Sequence, residues 1–584
     1  MATPKTINDL SAAAAMATTD TFPIWRNSQT LKATADLLPF LQSGIGATAE
    51  TLQTAVRKIF FSDSYTTLQN AADAAAGGIL VIRGTNTITA AVTLSSNTDI
   101  FAAPGALVQS ATTSISLFKA TSKTNIKIRG VHFKYTAAGS SGLIGGVELQ
   151  SCTNCVVEDN DFEGMQWAGP FLQNSERCTV RGNDIYSTLG THVDASDIII
   201  YDNSKYDLIE GNWCFGTGGH GILCQGTTGT LPFRNQFKSN YVNQKTTYGI
   251  VNYLTTAGDT ETLIDGNHVW DILGSGLAGA SGSGIYVQTA GGNTVTNNWI
   301  TNCCGSTTST SNLPAGISMA LNGAIRETNI VSHNHIISQP KYSGIAISDS
   351  SNETICDGNE ITFSDGAAGI GIQLVDSSNT SVINNRIKAA ITVARPAISV
   401  LANGADCVNN KIAFNDIVGT NGNLISFSFA STNRHKKANV IGNTCVSTGA
   451  SAQALVASGL TGSTISNNTL EAPAAGFYVD TVVNCRGSGN VVTVGTTNAF
   501  LSGGTCSNTF FDDSNDFGTN TGLIQNTAAG VNIRVRLGAV PASGNWQVGD
   551  EWTQTTPTAA GVPGGMCVTA GAPGTWKNRA ALAA

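Results

Sequence analysis

From about residue 150 onward, apolar and polar positions alternate in short runs, each closed by Gly, Asn, Asp or Ser. Period-two runs bounded by turn residues are strands with one buried face, and runs this short leave no room for helices between them. A longer period lies over the alternation. A phrase reading apolar, polar, Gly or Asn, Asn, any, apolar recurs as Val157-Glu-Asp-Asn160-Asp-Phe162, Val180-Arg-Gly-Asn183-Asp-Ile185, Ile209-Glu-Gly-Asn212-Trp-Cys214 and Phe237-Lys-Ser-Asn240-Tyr-Val242. It continues through Asn267, Asn298, Asn334, Asn359, Asn385, Asn415, Asn443, Asn468 and Asn490, at separations between 22 (Asn468 to Asn490) and 36 (Asn298 to Asn334). A second phrase, Gly-Ile-x-apolar, falls between the asparagines at Gly221-Ile222, Gly249-Ile250, Gly284-Ile285, Gly316-Ile317 and Gly344-Ile345. Two short strands per repeat predict a parallel β-solenoid, with the asparagines stacked as a ladder at one corner. Asn also tolerates the left-handed backbone expected of such a corner.

The register assigns faces. The position two before each Asn points outward and reads Glu158, Arg181, Glu210, Lys238, Asp265, a column of alternating sign that reads as structural. The ends have another texture. Ser64 to Ala76 places Leu68, Ala71, Ala72 and Ala75 at helical spacing, with Ser64 as N-cap and Gly77-Gly78 as the stop, a capping helix for the open end of the solenoid. The expected division is 1–55 as an N-terminal segment without the repeat, 56–515 as the solenoid, and 516–584 as a small C-terminal β module rich in Gly, Pro and Trp.

Composition narrows the function. Only 12% of residues are charged, Gly supplies 64 of 584, and the net charge is −8. A mildly acidic, sparsely charged chain has no nucleic-acid footprint, which needs clustered Lys and Arg. No apolar run approaches a membrane span, and Met1 to Ala15 is polar and alanine-rich, unlike a secretory signal. Thirteen cysteines cannot all pair within one chain. Cys214, Cys356 and Cys445 fall on inward positions as small fillers. Cys152-Thr-Asn-Cys155 has metal-like spacing but lacks a complementary pair, and His333-Asn-His335 lacks a third ligand; neither a metal nor a cofactor is expected.

The helix, the Gly77-Gly-Ile-Leu-Val-Ile run and the Asn-ladder coils together resemble the pectate-lyase-like right-handed β-helix of bacteriophage tailspikes. Asp20-Thr-Phe-Pro-Ile-Trp-Arg-Asn-Ser-Gln-Thr resembles the N-terminal segments that join such spikes to the particle. Val548-Gly-Asp-Glu-Trp and Gly565-Met-Cys-Val-Thr-Ala-Gly-Ala-Pro-Gly-Thr-Trp576 are similar to small C-terminal modules of phage receptor-binding proteins. The resemblance implies a homotrimeric virion spike, attached to a phage tail or baseplate protein through its N-terminus. Such a spike acts outside the host cell and binds, and often cleaves, a bacterial surface polysaccharide. The outward positions expected to form the interchain seam are Leu172, Ile199, Leu223, Val251, Ile425 and Val456.

Candidate chemistry sits where the repeat breaks. Asp197 replaces Gly in the column Gly146, Gly221, Gly249, Gly284, and the next coil carries His220; Asp194 and Trp167 stack beside them. Breaks of a repeat are expected at functional sites. Gly219-His220-Gly221 resembles the Gly-His-Gly motif of polygalacturonases, with Asp197 matching one member of their acidic pair, although Trp167-Ala-Gly-Pro stands where that family carries Asn-Thr-Asp. Glycoside hydrolysis needs two carboxyls, one protonated and one ionised. Asp194 and Asp197 are the candidate pair and His220 the group that tunes charge or binds substrate. Trp167, Trp213, Tyr248 and Tyr286 are the candidate sugar contacts. The alternatives are turn-capping by the two aspartates, a non-enzymatic glycan-binding spike, and a secreted pectinase-like polysaccharidase.

Overall fold

The structure, a computed structural model of the chain, describes residues 21–26, 29–34 and 58–582, the last apart from short segments of the loops between strands. It is a right-handed parallel β-helix. Each coil contributes one strand to each of three sheets. The first sheet holds the strands just before the ladder asparagines, such as Val156–Glu158, Thr179–Arg181 and Leu208–Glu210. The second, of sixteen strands, holds those just after, such as Asp161–Glu163, Asp184–Tyr186 and Trp213–Phe215. The third holds the longer strands of the Gly-Ile phrase, such as Ser196–Tyr201, His220–Gly226 and Tyr248–Leu254.

Strands pair in register from coil to coil, so every sequence column becomes a physical column. Val180, Ile209 and Phe237 of the first sheet, Ile185, Cys214 and Val242 of the second, and Ile198, Ile222 and Ile250 of the third converge on one continuous interior. The glycines of the second phrase are needed for close approach. A Cβ on Gly221 would lie 2.3 Å from Val242 Cγ1, and one on Gly249 would lie 2.4 Å from Val269 Cγ1.

The ladder is continuous from Asn160 to Asn515, one rung beyond Asn490. Each Nδ2 donates to the Oδ1 of the next coil's asparagine, at 2.9 Å for Asn160–Asn183 and 2.7 Å for Asn490–Asn515. One detail differs from the sequence expectation. The left-handed residue is the one before each ladder Asn from Asn160 to Asn490, as in Asp159, Gly182, Gly211, Ser239 and Gly266, so the asparagine's role is to donate and accept rather than to bear the turn. A second amide column, unread in the sequence, runs at another corner: Asp207 N donates to Asn235 Oδ1, and Asn293 N donates to Asn329 Oδ1.

The alternating-charge column is present and partly sheltered. Glu158 is clamped between Arg129 (2.9 Å) and Arg181 (2.7 Å) and is only 4% exposed. The capping helix spans Leu68–Ala74 and buries Leu68, Ala71 and Ala72. Its N-cap is Thr67, whose Oγ1 accepts from Asn70 N at 3.1 Å; Ser64 instead ends a short 3-10 turn.

At the other end, parallel pairing passes the expected boundary at 516 without a break. Ile524–Asn526 pairs with Asn498–Gly503, and Val531–Leu537 with Thr509–Phe511. Antiparallel pairing begins only with Glu551–Gln554, Gly564–Thr569 and Thr575–Asn578. Within 1–55, Thr21–Arg26 and Gln29–Thr34 form an antiparallel hairpin.

Candidate active site

On the third sheet the backbone places Asp197 and His220 on adjacent coils, as their registers require, with Ser196 opposite His220. Their side chains, however, project to opposite sides of the sheet. Asp197 occupies the inward glycine column and is fully buried, so it is not positioned to touch a substrate. It fits there because the facing residue is Cys214, smaller than the valines opposite Gly221 and Gly249. Its partner is Lys245, also fully buried, whose Nζ ion-pairs with the Asp197 carboxylate and donates to Gly216 O at 2.9 Å. Lys245, five residues after Asn240, stands where Met165, Ile272 and Cys303 stand five after Asn160, Asn267 and Asn298. The break in the repeat is thus a paired substitution inside the coil, where burial makes an unpaired charge untenable.

His220 points outward but is 5% exposed. Its Nδ1 meets Thr247 Oγ1, and its ring stacks on Tyr248 at 5.3 Å. Tyr248 stacks on Tyr286 at 4.8 Å, and both are buried with Phe171, Ile199, Leu223 and Val251 in an apolar layer outside the third sheet, against which Trp167 packs half-buried. Burial pushes the Tyr286 phenol up. Of the expected interchain seam, Ile199, Leu223 and Val251 belong to this buried layer, while Leu172 and Ile425 point into the core because the strand's inward pair shifts the alternation by one. Asp194 lies outside the described residues.

The remaining expected contact, Trp213, sits elsewhere, on the outer face of the second sheet, and it is 46% exposed. The residue directly after each ladder Asn faces outward here, and register stacks these residues as Asp161, Asp184, Trp213, Tyr241, His268 and Trp299. Trp213 and Tyr241 are parallel within 17° at 4.6 Å, too close to lie side by side, so one indole face is covered by the phenol. The other face looks along the column to Asp184, whose side chain is much shorter than an aromatic ring. Two residues further along each strand a neighbouring column runs Glu163, Tyr186, Phe215, Asn243, Trp270, Thr301, with Tyr186 stacked on Phe215 at 5.4 Å.

This part of the surface, termed the notch, has Trp213 and Phe215 on one rung and Asp161, Asp184, Glu163 and Tyr186 on the two rungs before it. Partial desolvation, reinforced by the Asp161 charge, raises the carboxyl of the exposed Asp184 above its ordinary value. Burial and then the charges of Glu163, Asp161 and Asp184 raise the Tyr186 phenol. Glu163 is held low instead, chiefly by its bond with Lys134 at 2.7 Å, with His132 adding at 3.2 Å. One carboxyl raised beside another, Glu163, held low is the kind of division that acid–base chemistry uses. The signal was in the sequence: the residue after the ladder Asn switches from acidic in two coils to aromatic in the next two, in a column that otherwise reads as plain exterior.

A family model described as periplasmic copper-binding protein (NosD) matches residues 55–274 and 194–322. No curated protein matches the chain. Among solved structures, the chain is similar to the A-module of mannuronan C-5 epimerase AlgE4 of Azotobacter vinelandii (12% identity, 66% of this chain and 95% of that one, TM-score 0.31). It is also similar to the tailspike protein of E. coli bacteriophage HK620 solved with a pentasaccharide (13%, 95% and 91%, 0.32) and to an exopolygalacturonase of Thermotoga maritima (11%, 59% and 87%, 0.33). A fold does not by itself give an activity, so activity has to be argued from the site.

The copper in the NosD description does not fit the residues present. Among the described residues no group of three His, Cys, Asp or Glu could hold a metal ion, and every described cysteine is buried. The Cys152 thiol is pushed up, first by its contact with the Cys155 thiol and then by burial, away from the thiolate a soft metal needs.

Proposed function

We propose that this chain binds and hydrolyses a bacterial surface polysaccharide at the second-sheet notch, acting as a homotrimeric phage tailspike joined to the tail through its N-terminal segment. The observation that carries the reading is the exposed indole of Trp213 set against Asp184 and Asp161. A sugar ring stacked on the indole lies beside two carboxyls borne on adjacent rungs, whose strands are about 4.8 Å apart. That spacing is close to the ~5–5.5 Å of retaining glycosidases. Asp184, the raised acid, donates its proton to the glycosidic oxygen. Asp161 attacks the anomeric carbon, and water releases the sugar from it with Asp184 as base. Glu163 is tied to Lys134 and His132 and orients the notch.

The test is release of reducing ends from purified capsule and lipopolysaccharide, with product masses. Hydrolysis adds water to each cleaved bond, whereas a lyase would leave unsaturated products. Binding without any release would leave the non-enzymatic spike, the reading that the exposed aromatics support by themselves.

A further inference from the structure

The notch is one end of a longer surface. On the three coils after Trp213 the two outward columns of the second sheet continue through Tyr241, His268 and Trp299, and through Asn243, Trp270 and Thr301. Trp213, Tyr241 and Trp299 are 46%, 37% and 45% exposed. With Trp213 and Phe215 this makes a stripe four rungs long, about 14 Å between its first and last rung, parallel to the solenoid axis. No Asp, Glu, Lys or Arg stands in either column over these rungs, and burial lowers the His268 imidazole, disfavouring its charged form.

Within these two columns charge is confined to the two ends, where it is already used or of the wrong sign for an anion; Lys238 and Asp265 of the same coils lie across the Asn corner on the first sheet. At the notch end stand Asp161, Asp184 and Glu163, with Lys134 and His132 spent on Glu163. At the far end Glu360 collects His335 at 3.2 Å and Arg386 and Lys388 at 3.9 Å.

Resting on the hydrolase reading above, we infer that the glycan held along this stripe is neutral, built of hexose, hexosamine or deoxyhexose units without uronate, sialate or phosphate groups. A carboxylate on each repeat would lose its water against indole and phenol without gaining a cation, and would meet the carboxylates of the notch at close range. Neutral sugar rings lose nothing comparable: their C–H faces pack on Trp213, and their hydroxyls meet Asn243, Thr301 and the polar ring edges.

The experiment is a glycan array of purified bacterial polysaccharides, neutral and anionic, probed with the full chain at 20 and 200 mM NaCl and repeated with Trp213→Ala. Melting temperature confirms that the variant is folded. Retention of neutral glycans, insensitive to salt and weakened at least tenfold by Trp213→Ala, is the expected result. Retention of anionic glycans, or binding that fades with salt, overturns the inference and leaves glycan recognition standing. Failure to retain any glycan, or retention indifferent to Trp213→Ala, overturns the notch reading itself and the inference with it.

Discussion

Asp197 and Lys245 offer the sharpest division between a structural and a catalytic account. Both side chains are fully buried, and each stands where other coils carry glycine or an apolar residue. Asp197→Gly leaves an ammonium in the interior beside Gly216 O, and Lys245→Met leaves a carboxylate there. Breaking a buried pair from one side costs about 3–5 kcal/mol. The double variant restores the pattern of the neighbouring coils. Replacing a buried pair by apolar groups is neutral or stabilising by about 1–4 kcal/mol, less a void beside Cys214 that costs about 24 cal/mol per Å³. The two substitutions should therefore couple by at least about 3 kcal/mol, and adding Cys214→Val, the residue type found opposite Gly221, should recover what the void removes. Urea unfolding of the four proteins followed by tryptophan fluorescence measures the cycle, and glycan cleavage by the double variant is measured alongside. Additive losses would refute the pairing argument. A folded double variant that had lost cleavage would return Asp197 to the reaction.

Asp184→Asn and Asp161→Asn should each slow depolymerisation at least roughly a hundredfold while leaving the unfolding midpoint nearly unchanged, since both side chains are exposed; wild-type rates in either would remove the notch as the catalytic centre. Asn267→Ala removes the acceptor of Asn240 N and Nδ2 and the donor to Phe237 O, all buried. It should cost at least about 2 kcal/mol by urea unfolding, because each buried polar atom left alone costs about 1–3 kcal/mol. Burial raises the Asp207 carboxyl from 3.8 to about 7 against the opposing bonds from Cys178 N and Ser175. The folded chain thus holds a proton that the unfolded chain has lost, and stability should fall as pH rises from about 4 to about 7, by about 4 kcal/mol in all at 1.36 kcal/mol per unit. Asp207→Asn should flatten that slope, read as unfolding midpoint against pH.

The fold was legible because a solenoid writes its architecture once per coil. The Asn phrase gave the corner, the register and the inward columns, and Cys214, Cys356 and Cys445 are buried fillers at the positions assigned to them. What the period could not give is anything decided between columns. Whether the corner's left-handed turn falls on the Asn or on its predecessor changes no letter of the phrase. Thr67 rather than Ser64 caps the helix because Ser62–Ser64 is drawn into a tight turn against Arg83, whose carbonyl accepts from Ser62 Oγ at 3.3 Å while its N–H donates back at 2.9 Å.

The candidate site exposes the limit of arguing from broken patterns. Asp197 is the most visible break in the repeat, yet a deviation in an inward column must be answered inside the coil, and Lys245 in another column answers it. The sequence shows both letters but not that they meet. Asp161, Asp184 and Trp213 break nothing, because an exterior column accepts nearly any residue and a carboxylate or an indole there costs little. A solenoid therefore hides its surface chemistry in the columns where variation is unremarkable. The informative signal is an exterior column in which consecutive rungs share a chemical type, since stacked neighbours of one kind, two acids followed by two aromatics, are what random exterior variation supplies least often and a polymeric ligand running along the axis requires.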